Sequence, residues 1–171
     1  IDAAAELLMK KAKATATKKA GRDAAEGIIG HYVHPGSKVV VIAEVNTETD
    51  FAAKNEDYLE FVKDVCMHIA AMNPTFVAVE DIPAADYEKQ KGIFLGQMDE
   101  DPKMAAKPDQ VKEKIVEGKM RKWASEVCLL EQSFVKDSDR TVKEYLEAIV
   151  GKIRENIKIA RFVRYQVGEA L

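Results

Sequence analysis

Glu48, Asp50 and His68 are the residues of this chain that could do general acid–base chemistry, two carboxylates to hold a proton and an imidazole to pass it on. Brought into one cleft, they would make a small hydrolase. No Ser/His/Asp or Cys/His nucleophile arrangement falls into a readable motif, however. Among 29 acidic residues a nearby pair of carboxylates is also common. Metal chemistry is weaker still. His31 and His34 have opposite parity on a strand, and Cys66 and His68 stand about 200° apart on a helix. The segment Gly30 to Lys38 holds the Gly, Ser and Lys of a phosphate loop. The second Gly of that motif is due five residues after the first, where Pro35 stands, and a strand follows instead of a helix. Neither a metal nor a cofactor is expected.

The stretch Glu44 to Asn55 carries more information. Five of its twelve residues are Asn, Thr or Asp, the types that cap helices and shape turns through short side-chain hydrogen bonds. It joins the β-branched run Val39 to Val45 to an amphipathic pattern that begins near Glu56, so a helix start is expected, with Thr49 or Asp50 as its cap. A turn at a sheet edge holds Phe51 near solvent, where it contributes little to the core of its own chain.

At these residues the chain resembles a known family. Asn46-x-Glu48-Thr49-Asp50-Phe51 is similar to the signature of elongation factor Ts, the exchange factor of the GTPase elongation factor Tu. Gly30-x-Tyr32-x-His34 and Met67-His68-Ile69-Ala70-Ala71-x-x-Pro74 match the same family. So does Glu155-Asn156-Ile157 followed by Arg161-Phe162-x-Arg164-x-x-x-Gly168-Glu169. The resemblance implies an activity without catalytic groups: the Asp-Phe pair docks on the GTPase, the Phe wedges between its helices, and the disturbed magnesium and phosphate-binding elements release GDP. By transfer, Asp50 and Phe51 do this, Thr49 and Ala52 on either side of them also bind the partner, and Gly30 and His68 contact its other domains. Thr47 and Ala52 stand where many members have Cys and Val, and Arg154 and Ala160 where Gly and Arg are common. One signature and one hairpin resemble the short form of the factor, which can dimerise. The chain opens at Ile1 and reads as a fragment or processed chain without the small helical module that members carry ahead of this point. The resemblance implies the bacterial cytoplasm or an organellar matrix.

The elements that would position these residues follow from periodicity. Residues 2–20 are rich in Ala, Leu, Met and Lys and predict a helix that stops at Gly21. Its basic run, six Lys or Arg from Lys10 to Arg22, is the one argument for an RNA-binding domain. No aromatic platforms are interleaved with it. The formal charge of −3 and a pI near 5.7 also speak against nucleic acid. No apolar run approaches the ~20 residues that cross a bilayer, and Cys66 and Cys128 read as separate reduced thiols.

Ile28–His34 and Lys38–Val45 predict a hairpin turned at Pro35-Gly36-Ser37. Tyr58, Phe61, Val62, Val65, Cys66, Ile69 and Met72 mark a core-facing helix ended by Pro74. Helices over about 85–98 and 108–130 pair as an antiparallel hairpin. A last helix spans 141–153, and a strand from Ile157 to Val167 sets Ile157, Ile159, Val163, Tyr165 and Val167 on one parity. The expected fold is α+β: a three-stranded antiparallel sheet with helices on one face, plus a projecting helical hairpin. The expected domains are an N-terminal helix and linker (1–26), a core (27–83 and 131–171) and the hairpin (84–130). Apolar residues on both parities of Val39 to Val45 leave a sheet face uncovered, so a homodimer is expected.

Overall fold

The computed structural model describes residues 2–169, so the first residue of the chain and its last two lie outside the described residues. The chain divides into two compact units, one built from residues up to Asn73 and from Ser133 onward, the other from residues 74–132.

The first unit is organised by a hairpin. β1 (Glu26–Val33) and β2 (Val39–Thr47) pair antiparallel, with Gly30 opposite Ala43, and β5 (Ile157–Gln166) pairs antiparallel with the other edge of β2. The α+β fold with its three-stranded sheet, in the order β1-β2-β5, is as the periodicity predicts. Helix α2 (Glu56–Met72) covers one face, burying Tyr58, Phe61, Val62, Val65, Cys66 and Ile69. It starts where Asn55 accepts the Asp57 N–H at 2.9 Å and ends at Asn73, whose left-handed backbone (φ 46°) turns the chain ahead of Pro74. Met72, assigned to the same stripe by spacing, is exposed in the last turn. α6 (Val142–Ile153) packs on α2 behind a capping box of Thr141 and Glu144, and α1 (Asp2–Lys19) packs along α6. Gly151 makes that last contact close, since a Cβ there would stand 2.8 Å from the Cβ of Ala12. The first helix is therefore part of this unit.

Among the described residues no helix covers the opposite sheet face. Ile29, Val33, Ile42, Val163 and Tyr165 are exposed there, with the Glu44–Arg161 ion pair (2.7 Å) beside them. The parity expected of β5 fails midway. Ile157 and Ile159 face the core, but the pairing slips between Glu44 and Val45, which face Arg161 and Ile159, and leaves Ala160 as an extra residue. Beyond the bulge every side chain changes face. Val163 and Tyr165 turn outward, while Arg164 turns inward and donates to the Ala70 carbonyl.

Two short strands, β3 (Ser133–Phe134) and β4 (Asp137–Thr141), complete the unit and were not evident from the sequence.

In the second unit, α3 (Ala84–Glu100) and α5 (Asp109–Val127) lie antiparallel, joined by the single-turn helix α4 (Pro102–Ala105). Asp99 meets Lys112 at 3.4 Å and Lys119 stands over the Phe94 ring, contacts that run in opposite chain directions. Met98 packs against Val116 and Met120. Ile115 and Trp123 are partly buried and flank this seam instead of filling it. Residues 74–83 belong to this unit and not to the sheet domain as expected, because Phe76 and Ile82 pack with Ala124 and Cys128.

Candidate functional site

β2 ends at Thr47 and α2 begins at Glu56, and the eight residues between them make a turn fixed from below. Its tightest part is a 3-10 turn, Ala52–Lys54, whose small residues Ala52 and Ala53 are buried. Thr49 sets its start, since its hydroxyl accepts the Ala52 N–H at 3.3 Å. Thr49 is in turn held by Glu155, which accepts from its hydroxyl at 2.8 Å and from its backbone N–H at 3.0 Å. The same carboxylate accepts from the buried Thr47 hydroxyl at 3.1 Å. One residue further on, the Asn156 N–H donates to Glu48 at 2.6 Å, and Arg22 approaches Glu48 from the other side at 3.3 Å. Asn156 also donates its amide to the Arg22 carbonyl. On the α2 side, Tyr58 is fully buried and donates its hydroxyl to the Val45 carbonyl at 2.5 Å. Both limbs of the turn are thus tied to the core.

What the turn presents is Phe51, 80% exposed, with Asp50 and Lys54 beside it. Asp50 and Lys54 pair at 2.8 Å, and the Lys54 ammonium lies 5.8 Å from the Phe51 ring centre. Lys54 holds the Asp50 carboxyl below its ordinary range. The Asn156 N–H, followed by Arg22, does the same for Glu48. Both carboxyls are therefore poor proton acceptors near neutrality.

His68 is not part of this surface. It is 0% exposed, its Nδ1 accepts the Val135 N–H at 3.2 Å, and its ring lies against Phe134. It lies twelve residues into α2, about 18 Å along the axis from the helix start. That separation from Glu48 and Asp50 removes the hydrolase reading. Gly30 is buried as well, and a Cβ there would stand 2.2 Å from Cγ1 of Val62 and 3.1 Å from Sγ of Cys66. Its lack of a side chain lets α2 settle on β1. The partner contacts expected of Gly30 and His68 thus fall on residues whose side-chain positions are inside the core, because the sequence does not reveal which face of β1 and α2 they occupy. Burial pushes the Cys66 and Cys128 thiols up to about 11, so both are unreactive near neutrality. Among the described residues no three His, Cys, Asp or Glu side chains come together as a metal site, and no helix is long and apolar enough to cross a membrane.

Sequence reasoning missed Glu155, Asn156 and Arg22 as the clamp of the turn. A signal for two of them was available, since Glu155-Asn156-Ile157 is one of the segments that carries the family likeness.

The first unit is an α+β body that lifts one aromatic, Phe51, into solvent on a turn held from both ends. Residues 9–169 match the family model described as Elongation factor TS. The chain is 48% identical over 168 residues to the elongation factor Ts of Geotalea daltonii, an alignment covering 98% of this chain and 76% of that one. It is 46% identical over 171 residues to that of Acetivibrio thermocellus, covering 100% and 78%, and 45% identical over 171 residues to that of Geobacter sulfurreducens, covering 100% and 77%. The chain belongs to the elongation factor Ts family.

Proposed function

We propose that the chain binds elongation factor Tu and promotes GDP release, with Asp50 and Phe51 inserted near the magnesium and phosphate site of the GTPase and Thr49 and Ala52 holding their position. The observation that carries this reading is Phe51, an aromatic 80% exposed on a turn pinned by Glu155 and Tyr58. Rigid presentation matters because an anchor ordered before binding loses little conformational entropy on docking. Gly30 and His68 support the site from inside, Gly30 by seating α2 and His68 by holding Val135. The factor works in the bacterial cytoplasm or an organellar matrix, and acts by shifting a binding equilibrium, without a covalent step of its own.

Exchange of this kind obeys linkage. The factor must bind nucleotide-free elongation factor Tu more tightly than the GDP-bound form, and GDP must weaken the factor's binding by the same ratio. Titration of both partner forms, with labelled GDP release followed in parallel, tests it. Equal affinity for the two forms would remove the mechanism, because equal binding shifts nothing.

A second reading rests on a separate observation. The outer sheet face, with Ile29, Val33, Ile42, Val163 and Tyr165 exposed, suits a homodimer formed sheet against sheet.

A further inference from the structure

Lys54 has no part in the roles assigned above, yet it touches both residues that the turn presents. Its backbone is fixed, since the Lys54 N–H donates to the Phe51 carbonyl at 3.1 Å where the 3-10 turn closes over the buried Ala52 and Ala53. Its side chain runs back along the turn. The ammonium meets Asp50 at 2.8 Å and lies over the Phe51 ring, 5.8 Å from its centre, so one cation serves a carboxylate and an aromatic face together. The neighbouring carboxylates Glu48 and Asp57 are engaged elsewhere, with Arg22 at 3.3 Å and with Lys152 at 2.6 Å. Asp50 and Lys54 are left to each other.

The Lys54 side chain is 73% exposed and that of Asp50 55%. Water weakens both contacts accordingly, and neither adds much to the stability of the fold. Their consequence is conformational. An unrestrained Asp and Phe on an exposed turn exchange among staggered rotamers, and docking has to select one of each. We propose that Lys54 is the positioning residue of the docking pair, tying the Asp50 carboxylate and the Phe51 ring into one preset arrangement before the partner arrives. The inference rests on the exchange role proposed above and deepens it. Such a residue acts on affinity, by lowering the ordering cost of docking, and not on the rate at which GDP leaves the assembled complex. A Lys54 that instead reached an acidic group of the partner would act independently of Asp50.

The test follows release of labelled GDP from elongation factor Tu over a range of factor concentrations. Lys54→Met keeps the stem and loses the charge. It should raise the half-saturating concentration about three- to tenfold with the limiting rate unchanged, and Lys54→Arg should restore most of the loss. In an Asp50→Ala background Lys54→Met should add about twofold or less. These positions are exposed, so each variant should unfold within about 3 °C of wild type. In the free chain, nuclear magnetic resonance should show Lys54 methylene protons shifted by the Phe51 ring and relaxed in Phe51→Ala, and the Asp50 carboxyl should titrate at higher pH in Lys54→Met than in wild type. Wild-type exchange by Lys54→Met, an equal Lys54→Met effect with and without Asp50, or Lys54 methylene shifts that ignore Phe51→Ala would each overturn the proposal while leaving the exchange role intact. A wild-type chain that fails to accelerate GDP release would refute the exchange role, and this inference with it.

Discussion

Phe51→Ala separates the docking role of the turn from its structural role. With four fifths of the residue in solvent, truncation removes only about one fifth of the 1.5–3 kcal/mol that full burial of such a side chain is worth, or roughly 0.5 kcal/mol. Loss of the Lys54 contact at 5.8 Å adds about 0.5 kcal/mol. The variant should therefore unfold about 2–4 °C below wild type. A core Phe would cost about 3–5 kcal/mol instead. Set into a partner pocket, the same ring as an anchor is worth about 2 kcal/mol or more, on the order of 30-fold in an equilibrium constant. Differential scanning calorimetry and stopped-flow release of labelled GDP from elongation factor Tu read the two quantities independently. A drop of more than about 10 °C would show that Phe51 supports the fold, and a folded variant with undiminished GDP release would end the wedge assignment.

Glu155→Ala removes the acceptor of three hydrogen bonds and strands the buried Thr47 hydroxyl, so it should cost about 2–3 kcal/mol and slow exchange, while Glu155→Gln retains part of both; chemical denaturation of the pair measures it. Glu48 has a folded pKa below that of a free glutamate, so its contribution is present above roughly pH 4.3 and fades as pH falls through the lower folded value. Glu48→Gln should flatten the stability profile in that acid range and leave it parallel to wild type near neutrality. Ile42→Lys, placed at the centre of the uncovered sheet face, should shift the chain to monomer in sedimentation without unfolding it; a wild-type chain that stays monomeric at high micromolar concentration would already exclude the homodimer. Arg154 closes α6 in the left-handed region at φ 62°, so Arg154→Gly should gain about 1 kcal/mol in thermal unfolding.

What was legible in the sequence was local. The hairpin around Pro35-Gly36, the core stripe of α2 and the solvent position of Phe51 each follow from a few neighbouring residues. The bulge at Ala160 was not, because it is decided by which residues of β2 lie opposite. The clamp was hidden by distance along the chain: Thr47 and Glu155 are 108 residues apart, and the bond between them exists only once β5 has joined the sheet. His68 was misplaced because its cover is the β3–β4 hairpin. Asp137-Ser138-Asp139-Arg140-Thr141 reads as a polar loop, and only in the fold does Val135 come to donate to the imidazole.

The burial of Gly30 and His68 changes how substitutions there should be read. Gly30 sits where α2 comes down on β1, and any side chain at that position pushes against Val62 and Cys66. α2 is the element that follows the Phe51 turn, and its Tyr58 ties that turn to β2. A shift of this helix by even an ångström would move the ring by a similar amount, enough to spoil insertion without touching the partner. His68 acts on the same helix from farther along, through Val135 and Phe134. Lost exchange in a Gly30 or His68 variant is thus no evidence of direct contact, whereas the exposed Phe51 allows the stronger inference, because its removal leaves the core that positions the turn intact.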